Sequence, residues 1–558
     1  MISIRIRRAG PKLSRCLLMT LATGLMLAIC PTVQAQTRSF DGSQNNQTKP
    51  LWGSAGMSFQ RMETPNYSDG KSAPTSGANA REISNALGVQ SPGVNSRNLS
   101  SFVWQWGQFL DHDIALTPTH ATESYSIPVN DTSDALYPVI PMMRSDYDTS
   151  TGTTNPRQQV NANTSYIDAS MVYGSSQGRA DALRTFSDGM LSMSSGNLLP
   201  YNTGLYENAN EGVEADSTLF LAGDIRVNEQ PGLIAMHTVF AREHNRLAAE
   251  IKSKNAGWSD EQIYQHARKM VGGMVQSITY NEYLPTLMGG YAPSMTGASY
   301  DSDGNATLSN EFATAAFRLG HTQVTSTLLR VDNDGQTAAG GNVELSDAFF
   351  APSLISSSQE IDFFLNGMAH QVQQATDLMI VDDLRNMLFG APGAGGLDLF
   401  AINVQRGRDH GLPTYNEIAA HLGFTAPTSF AELTDDTQLQ LDLASVYSDV
   451  SDVDLWVGLL AENKIAGSEV GHVLGSLLNE EFTRLMECDR FFFTWDQGLS
   501  QAEIDLIMDT RLSDILGRNT SLTNLSGNVF FAVPEPTGTM FLLVLGVVTY
   551  CRRRRMPL

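Results

Sequence analysis

The chain has 558 residues, 42% of them hydrophobic and 17% charged, with Gly and Pro spread out rather than forming a repeat, which excludes fibrous and wholly disordered classes. Its formal net charge is −23, and nine of the 36 basic residues lie in the two terminal segments, so the body between them is more acidic still. Such a surface repels phosphate backbones and excludes nucleic acid as a partner.

Residues 1–35 read as a secretory signal peptide. Arg5, Arg7, Arg8, Lys12 and Arg15 precede an apolar run from Leu17 to Cys30, and Val33-Gln34-Ala35 offers a small-residue cleavage point before Gln36. That run is shorter than the ~20 residues a membrane-spanning helix needs. Residues 63–98, 146–163 and 331–342, rich in Ser, Gly, Asn and Pro, are expected as loops. Between the first two stands the heptad Gly107-Gln108-Phe109-Leu110-Asp111-His112-Asp113. As a helix it puts Gln108, Asp111 and His112 on one face and turns Asp113 about 100° away from His112, so one turn can serve two sites.

Farther on, Leu233, Met236, Phe240, Leu247 and Ile251 recur at helical spacing. Pro231 suits the first turn of that helix, and Asn255-Ala256-Gly257 suits its stop. A second helix is expected from Asn310 through Phe312, Ala316 and Leu319, capped by Ser309 or Asn310. Strand alternation is scarce, and there is no internal repeat. Asp301-Ser302-Asp303-Gly304-Asn305 and Asp332-Asn333-Asp334-Gly335 are expected as turns, because neither supplies the downstream glutamate of an EF-hand. His237 and His244 lack the Glu-flanked pair of a zinc protease and are read as structural.

Of four cysteines, Cys16 and Cys30 lie in the first segment and Cys551 in the last, so Cys488 alone remains in the body. An internal disulfide is therefore excluded. So is thioether attachment of haem, since there is no Cys-x-x-Cys-His. The chain closes with Val533-Pro534-Glu535-Pro536, a nearly uncharged stretch from Thr537 to Cys551, and Arg552 to Arg555. A breaker, an apolar stretch and a basic stop would orient with the arginines in the cytoplasm. This order resembles the bacterial PEP-CTERM sorting signal, which implies transient anchoring, a sorting protease, and a body outside the cytoplasm; an ordinary C-terminal anchor has the same topology.

Five further segments join the heptad. They are Thr164-Ser165-Tyr166-Ile167-Asp168-Ala169-Ser170, Gly223-Asp224-Ile225-Arg226-Val227-Asn228-Glu229-Gln230, Arg242-Glu243-His244-Asn245-Arg246-Leu247, Phe317-Arg318-Leu319-Gly320-His321, and the run from Ile402 through Asn403 to Pro413. In this order they resemble the animal-type haem peroxidase (peroxidase-cyclooxygenase) family. The likeness runs from about residue 40 to 532, with Asp454-Leu455-Trp456-Val457-Gly458 and Asp489-Arg490-Phe491 also fitting.

The resemblance implies a mainly α fold: one large helical domain over residues 36–533, with long loops and little strand, between signals at 1–35 and 534–558. It implies haem b, with His321 as the iron ligand and Asn403 fixing that imidazole. His112 would move the proton that peroxide cleavage requires, a task suited to a neutral imidazole near pH 7. Arg226 would stabilise charge on the departing oxygen. Gln108 would belong to the donor pocket and Arg318 to the iron-ligand side, toward a haem propionate. Asp111 and Glu229 match carboxylates that form ester bonds to haem. Gln230 departs from the methionine that a vertebrate member uses for a sulfonium link, which puts chloride oxidation in doubt. Asp113, Thr164, Tyr166, Asp168 and Ser170 form an all-oxygen set suited to calcium, with Tyr at 166 in place of the usual Phe.

The implied activity is an exported peroxidase that reduces hydrogen peroxide and oxidises halide, thiocyanate or phenolic donors. A fatty-acid dioxygenase of the same superfamily would need a tyrosine three residues before the ligand histidine, where this chain has Arg318. A non-catalytic surface or matrix scaffold would have no use for His112, Arg226 and His321 together.

Overall fold

The computed structural model describes residues 37–91 and 93–533. The segments expected as a signal peptide, 1–35, and as a sorting signal, 534–558, with Cys16, Cys30 and Cys551, lie outside them. Among the described residues helices dominate, and the strands form only three two-stranded ribbons. Thr119–Ser124 pairs with Met143–Ser145, Ile127–Pro128 with Val139–Ile140, and Thr327–Leu328 with Val343–Glu344, all antiparallel. Among the described residues no helix is long and apolar enough to cross a membrane.

Two helices frame the centre. The Phe102–Ile114 helix buries Phe102, Val103, Trp106, Phe109 and Leu110 completely. Each such side chain contributes about 1.5–3 kcal/mol by leaving water. Trp106 and Phe109 meet Phe240 of the Pro231–Lys254 helix at ring-centroid distances of 5.9 and 5.1 Å. That second helix starts with Pro at its first position and stops at Asn255, as its sequence predicts. Gln230 caps it, its side chain accepting the Gly232 N–H.

Two expectations are corrected. The 63–98 stretch contains a helix, Ala80–Leu87, whose start is capped by Asn79 accepting the N–H groups of Arg81 and Glu82. The segment after Ser309 is not one helix. Asn310–Thr314 is α-helical, Ala315 breaks it at φ −128°, ψ −66°, and Ala316–Thr322 continues as a 3₁₀ helix. Asn310 and Thr314 both hydrogen-bond His410 Nδ1, at 2.7 and 2.9 Å, so a tertiary anchor overrides the local period.

Both Asp-rich segments are turns, with Asp301 accepting the Asp303 N–H and Asp332 those of Asp334 and Gln336. Cys488 is buried and unpaired. His244 is structural, its ring nitrogens lying 2.9 Å from the Tyr173 hydroxyl and 2.8 Å from the Gly189 carbonyl.

Candidate functional site

The face of the Phe102–Ile114 helix opposite its aromatic stripe carries Gln108, Asp111 and His112. His112 is buried, with Nδ1 3.5 Å from Asp224 Oδ1 and Nε2 3.7 Å from Glu229 Oε2. Burial, and then the Arg226 charge, hold its imidazole well below the ordinary histidine range, so the ring is neutral at pH 7. Asp224 Oδ1 accepts the Arg226 backbone N–H at 2.8 Å and Nε–H at 2.9 Å, and Oδ2 accepts Nη2–H at 2.8 Å. Burial alone would raise the Asp224 carboxyl; Arg226 outweighs it and keeps the group ionised. Arg226 Nη2 also donates to the Ala115 carbonyl at 2.7 Å, and Nη1 lies 3.5 Å from Asp111 Oδ2.

A chain of amides completes this side. Gln230 Nε2 donates to Gln105 Oε1 at 2.6 Å and Gln108 Oε1 at 3.0 Å, and Gln108 Nε2 donates to Glu229 Oε2 at 2.9 Å. Burial pushes the Glu229 carboxyl up to about 7 against the pull of Arg226. It raises Asp111 as well, opposed by both Arg226 and Arg318.

Asp113 faces elsewhere. Its Oδ2 accepts the backbone N–H groups of Asp168 and Ala169, both at 3.1 Å, and its Oδ1 accepts the Ser170 hydroxyl at 2.8 Å. The Thr164 hydroxyl lies 3.2 Å from Asp168 Oδ2 and 3.4 Å from the Tyr166 carbonyl. The Tyr166 hydroxyl points away, donating to the Trp52 carbonyl at 2.7 Å, so only its backbone joins the cluster. All five sequence-predicted residues therefore gather here, every donor atom an oxygen. Burial, and then the neighbouring Asp168 carboxylate, push the Asp113 carboxyl well above the ordinary carboxylate range. Two buried carboxylates so placed fit a hard cation, whose charge offsets both effects.

His321 stands on the 3₁₀ segment. Its Nδ1 lies 2.9 Å from the Asn403 side-chain amide nitrogen, and Asn403 sits on the Leu399–Asp409 helix. Among the described residues nothing partners its Nε2. Burial, and then Arg318, push this imidazole down to about 3, giving the neutral ring a metal ligand requires. Arg318 donates to Asn403 Oδ1 at 3.3 Å and to the Ala313 carbonyl at 3.3 Å. A ligating imidazole donates its other ring N–H, so with the Asn403 amide turned to present its oxygen to Nδ1, the neutral ring has Nε2 free and fits the iron of a haem.

Three residues escaped the sequence reading. Asp224 stands two places before Arg226; Asn163, immediately before Thr164, donates to the His112 carbonyl at 2.8 Å and to Asp224 Oδ2 at 3.3 Å. Gln105, one turn before Gln108, is fully buried. The only signal for each was its distance from a residue already singled out. Gly223 is forced: a Cβ there would lie 2.3 Å from the Ser170 carbonyl oxygen and 2.5 Å from the N–H nitrogens of Tyr173 and Gly174. The strand of chain bearing Asp224 and Arg226 thus rests directly on the turn that bears Ser170.

Residues 37–530 match the family described as animal haem peroxidase. The chain is similar to the peroxidasin homolog pxn-2 of Caenorhabditis elegans, with 34% identity over 543 residues, covering 86% of this chain and 41% of that one. It therefore spans less than half the length of that relative. Among solved structures it resembles peroxidase A from Dictyostelium discoideum, with a TM-score of 0.82 and 30% identity over 89% of this chain and 99% of the other. A fatty acid alpha-dioxygenase from Arabidopsis thaliana shares the fold, with a TM-score of 0.73 and 20% identity over 89% and 86% of the two chains.

Proposed function

The chain belongs to the animal haem peroxidase family, and we propose that it acts as a peroxidase, reducing hydrogen peroxide at the expense of halide, thiocyanate or phenolic donors. The observation that supports this reading is Asp111, on the His112 face of its helix, whose carboxylate lies 3.5 Å from Arg226 Nη1, with the Arg318 charge of the His321 segment also acting on it. On this reading the base with its arginine and the imidazole ligand would address one space.

When bound there, haem supplies an iron centre that accepts two oxidising equivalents from peroxide and passes them to the donor. His321 would hold the iron through Nε2, its orientation fixed by Asn403. Neutral His112 would accept a proton from peroxide at Nε2 and return it to the departing oxygen. Arg226 would stabilise the negative charge developing on that oxygen. Its Nε and Nη2 are tied to Asp224 and the Ala115 carbonyl, and Nη1, toward Asp111, is the arm left for that role. Gln108, with its oxygen engaged by Gln230 and its nitrogen by Glu229, would shape the donor pocket. Gln230 cannot form a sulfonium link, so chloride is not the expected donor.

Asp111 and Glu229 would be the sites of ester links to the ring, one lying 3.5 Å from Arg226 and the other 3.7 Å from His112. Asp113, Thr164, Tyr166, Asp168 and Ser170 would hold calcium. The body, 36–533, would be one domain exported behind the 1–35 signal and transiently anchored by the PEP-CTERM-like segment at 534–558, pending removal by a sorting protease; that segment, of a bacterial type, would be its one contact with a membrane. At 20% identity the dioxygenase likeness concerns the fold alone, and Arg318 occupies the place where that chemistry needs a tyrosine.

The deciding experiment is peroxide turnover by haem-loaded protein with a panel of halides, thiocyanate and phenols. Peroxide-dependent oxidation of at least one donor is expected. A haem-loaded protein that consumes no peroxide with any of them overturns the reading.

A further inference from the structure

Asp224 touches both members of the proposed peroxide-handling pair. It takes three hydrogen bonds from Arg226 and stands 3.5 Å from His112 Nδ1. It is 3% exposed, so water does not compete for its lone pairs. Among the described residues His112 Nδ1 has no hydrogen-bond partner, although it is buried. The geometry points to Asp224 as a positioning residue that fixes the tautomer of His112 and the direction of the Arg226 guanidinium with one carboxylate. This deepens the peroxidase reading and rests on it.

The physical argument is one of complementarity. An ionised carboxylate only accepts hydrogen bonds. An imidazole with a bare Nδ1 would turn a lone pair toward that carboxylate and leave a buried acceptor unsatisfied, a costly arrangement. The tautomer carrying its proton on Nδ1 is attracted instead, and it leaves Nε2, on the side of Glu229, as the accepting nitrogen. A Ser-His-Asp triad uses its aspartate in the same sense. At 3.5 Å the pair is longer than a formed hydrogen bond, and such contacts tighten when a ligand fills the site. Asn163 sets the separation, because one amide nitrogen donates both to the His112 carbonyl and to Asp224 Oδ2. Arg226 holds the carboxylate in place through three hydrogen bonds, so the contact shortens by movement of the imidazole ring toward a fixed Asp224.

The test reads the tautomer directly. In protein labelled with ¹⁵N-histidine, the His112 ring, assigned by its loss in His112→Gln, is expected to carry its proton on Nδ1. The measurement is made on the ferrous carbonyl form of haem-loaded protein, which is diamagnetic, or directly if the purified chain carries no haem. In Asp224→Asn that preference should be lost. Cyanide association with the ferric protein, which needs a base to take the proton of HCN, should slow by roughly tenfold or more, and Asp224→Glu should recover part of it. A wild-type His112 carrying its proton on Nε2 overturns the proposal even if the variants fail to fold. Cyanide association unchanged in a folded Asp224→Asn overturns it too. Failure of the wild type to turn over peroxide strikes the peroxidase reading instead and leaves the tautomer result standing.

Discussion

Asp113 follows His112 directly on one helix, yet the two side chains serve opposite walls: Asp113 Oδ2 accepts the N–H groups of Asp168 and Ala169, while the His112 ring faces Asp224 and Glu229. The step of about 100° between helical neighbours separates them. A shift of residues 164–170 is therefore delivered to His112, the proposed base, one residue away.

Calcium removal should consequently reach the peroxide chemistry. Excess chelator is expected to lower the melting temperature by several degrees, since a ligand at 100 times its Kd contributes about 2.7 kcal/mol. Turnover should fall while the haem spectrum persists, and Asp168→Asn should mimic this at high calcium. Calorimetry and turnover that both ignore the chelator would count against the site.

For the iron ligand, His321→Ala should abolish the haem spectrum of the purified protein. Asn403→Ala removes only the fixing amide, so haem should still load but with affinity lowered about 10- to 100-fold. Normal haem content in His321→Ala would reassign the ligand.

Acid extraction separates covalent from non-covalent haem. If Asp111 and Glu229 form esters, haem should stay with the denatured chain in acid solvent, and only the double variant Asp111→Asn, Glu229→Gln should release it fully. Complete extraction from the wild type would refute the links and leave the peroxidase reading intact.

Glu462 gives a pH test away from the site. It accepts the N–H groups of Val473 at 3.0 Å and Leu474 at 2.8 Å at the start of the His472–Glu487 helix, and the Tyr415 hydroxyl at 3.1 Å. Burial still pushes its carboxyl from 4.5 up to about 7. Between those values the folded chain binds more proton than the unfolded chain. Its contribution is therefore full below about 4.5 and is lost as pH rises through 7, on the order of 3 kcal/mol. Glu462→Gln should flatten the fall of stability with pH over this window. Denaturant titrations with wild-type slope in the variant would rule that out.

Much of this molecule is legible in its sequence where the signal is local. Pro231 and Asn255 bound a helix because a missing N–H and a stop residue act at their own positions. Gln108, Asp111 and His112 share a face because helical period alone dictates it. Longer-range effects stay hidden. Ala80–Leu87 is lost within a stretch whose Ser, Gly, Asn and Pro content reads as loop, and its cap, Asn79, is itself a loop-type residue. The break at Ala315 depends on His410, about a hundred residues away. Asp224 faces His112 only once the chain has folded.

Gly223 bears on how such a protein can be rebuilt. With a prospective Cβ 2.3 Å from the Ser170 carbonyl, no side chain fits between the two segments. Residues 164–174 and 223–229 are thus a matched lock, not interchangeable parts. A chimera that takes one from a relative and keeps the other must preserve that backbone contact, or the Asp168–Ser170 turn and Arg226 will come apart together.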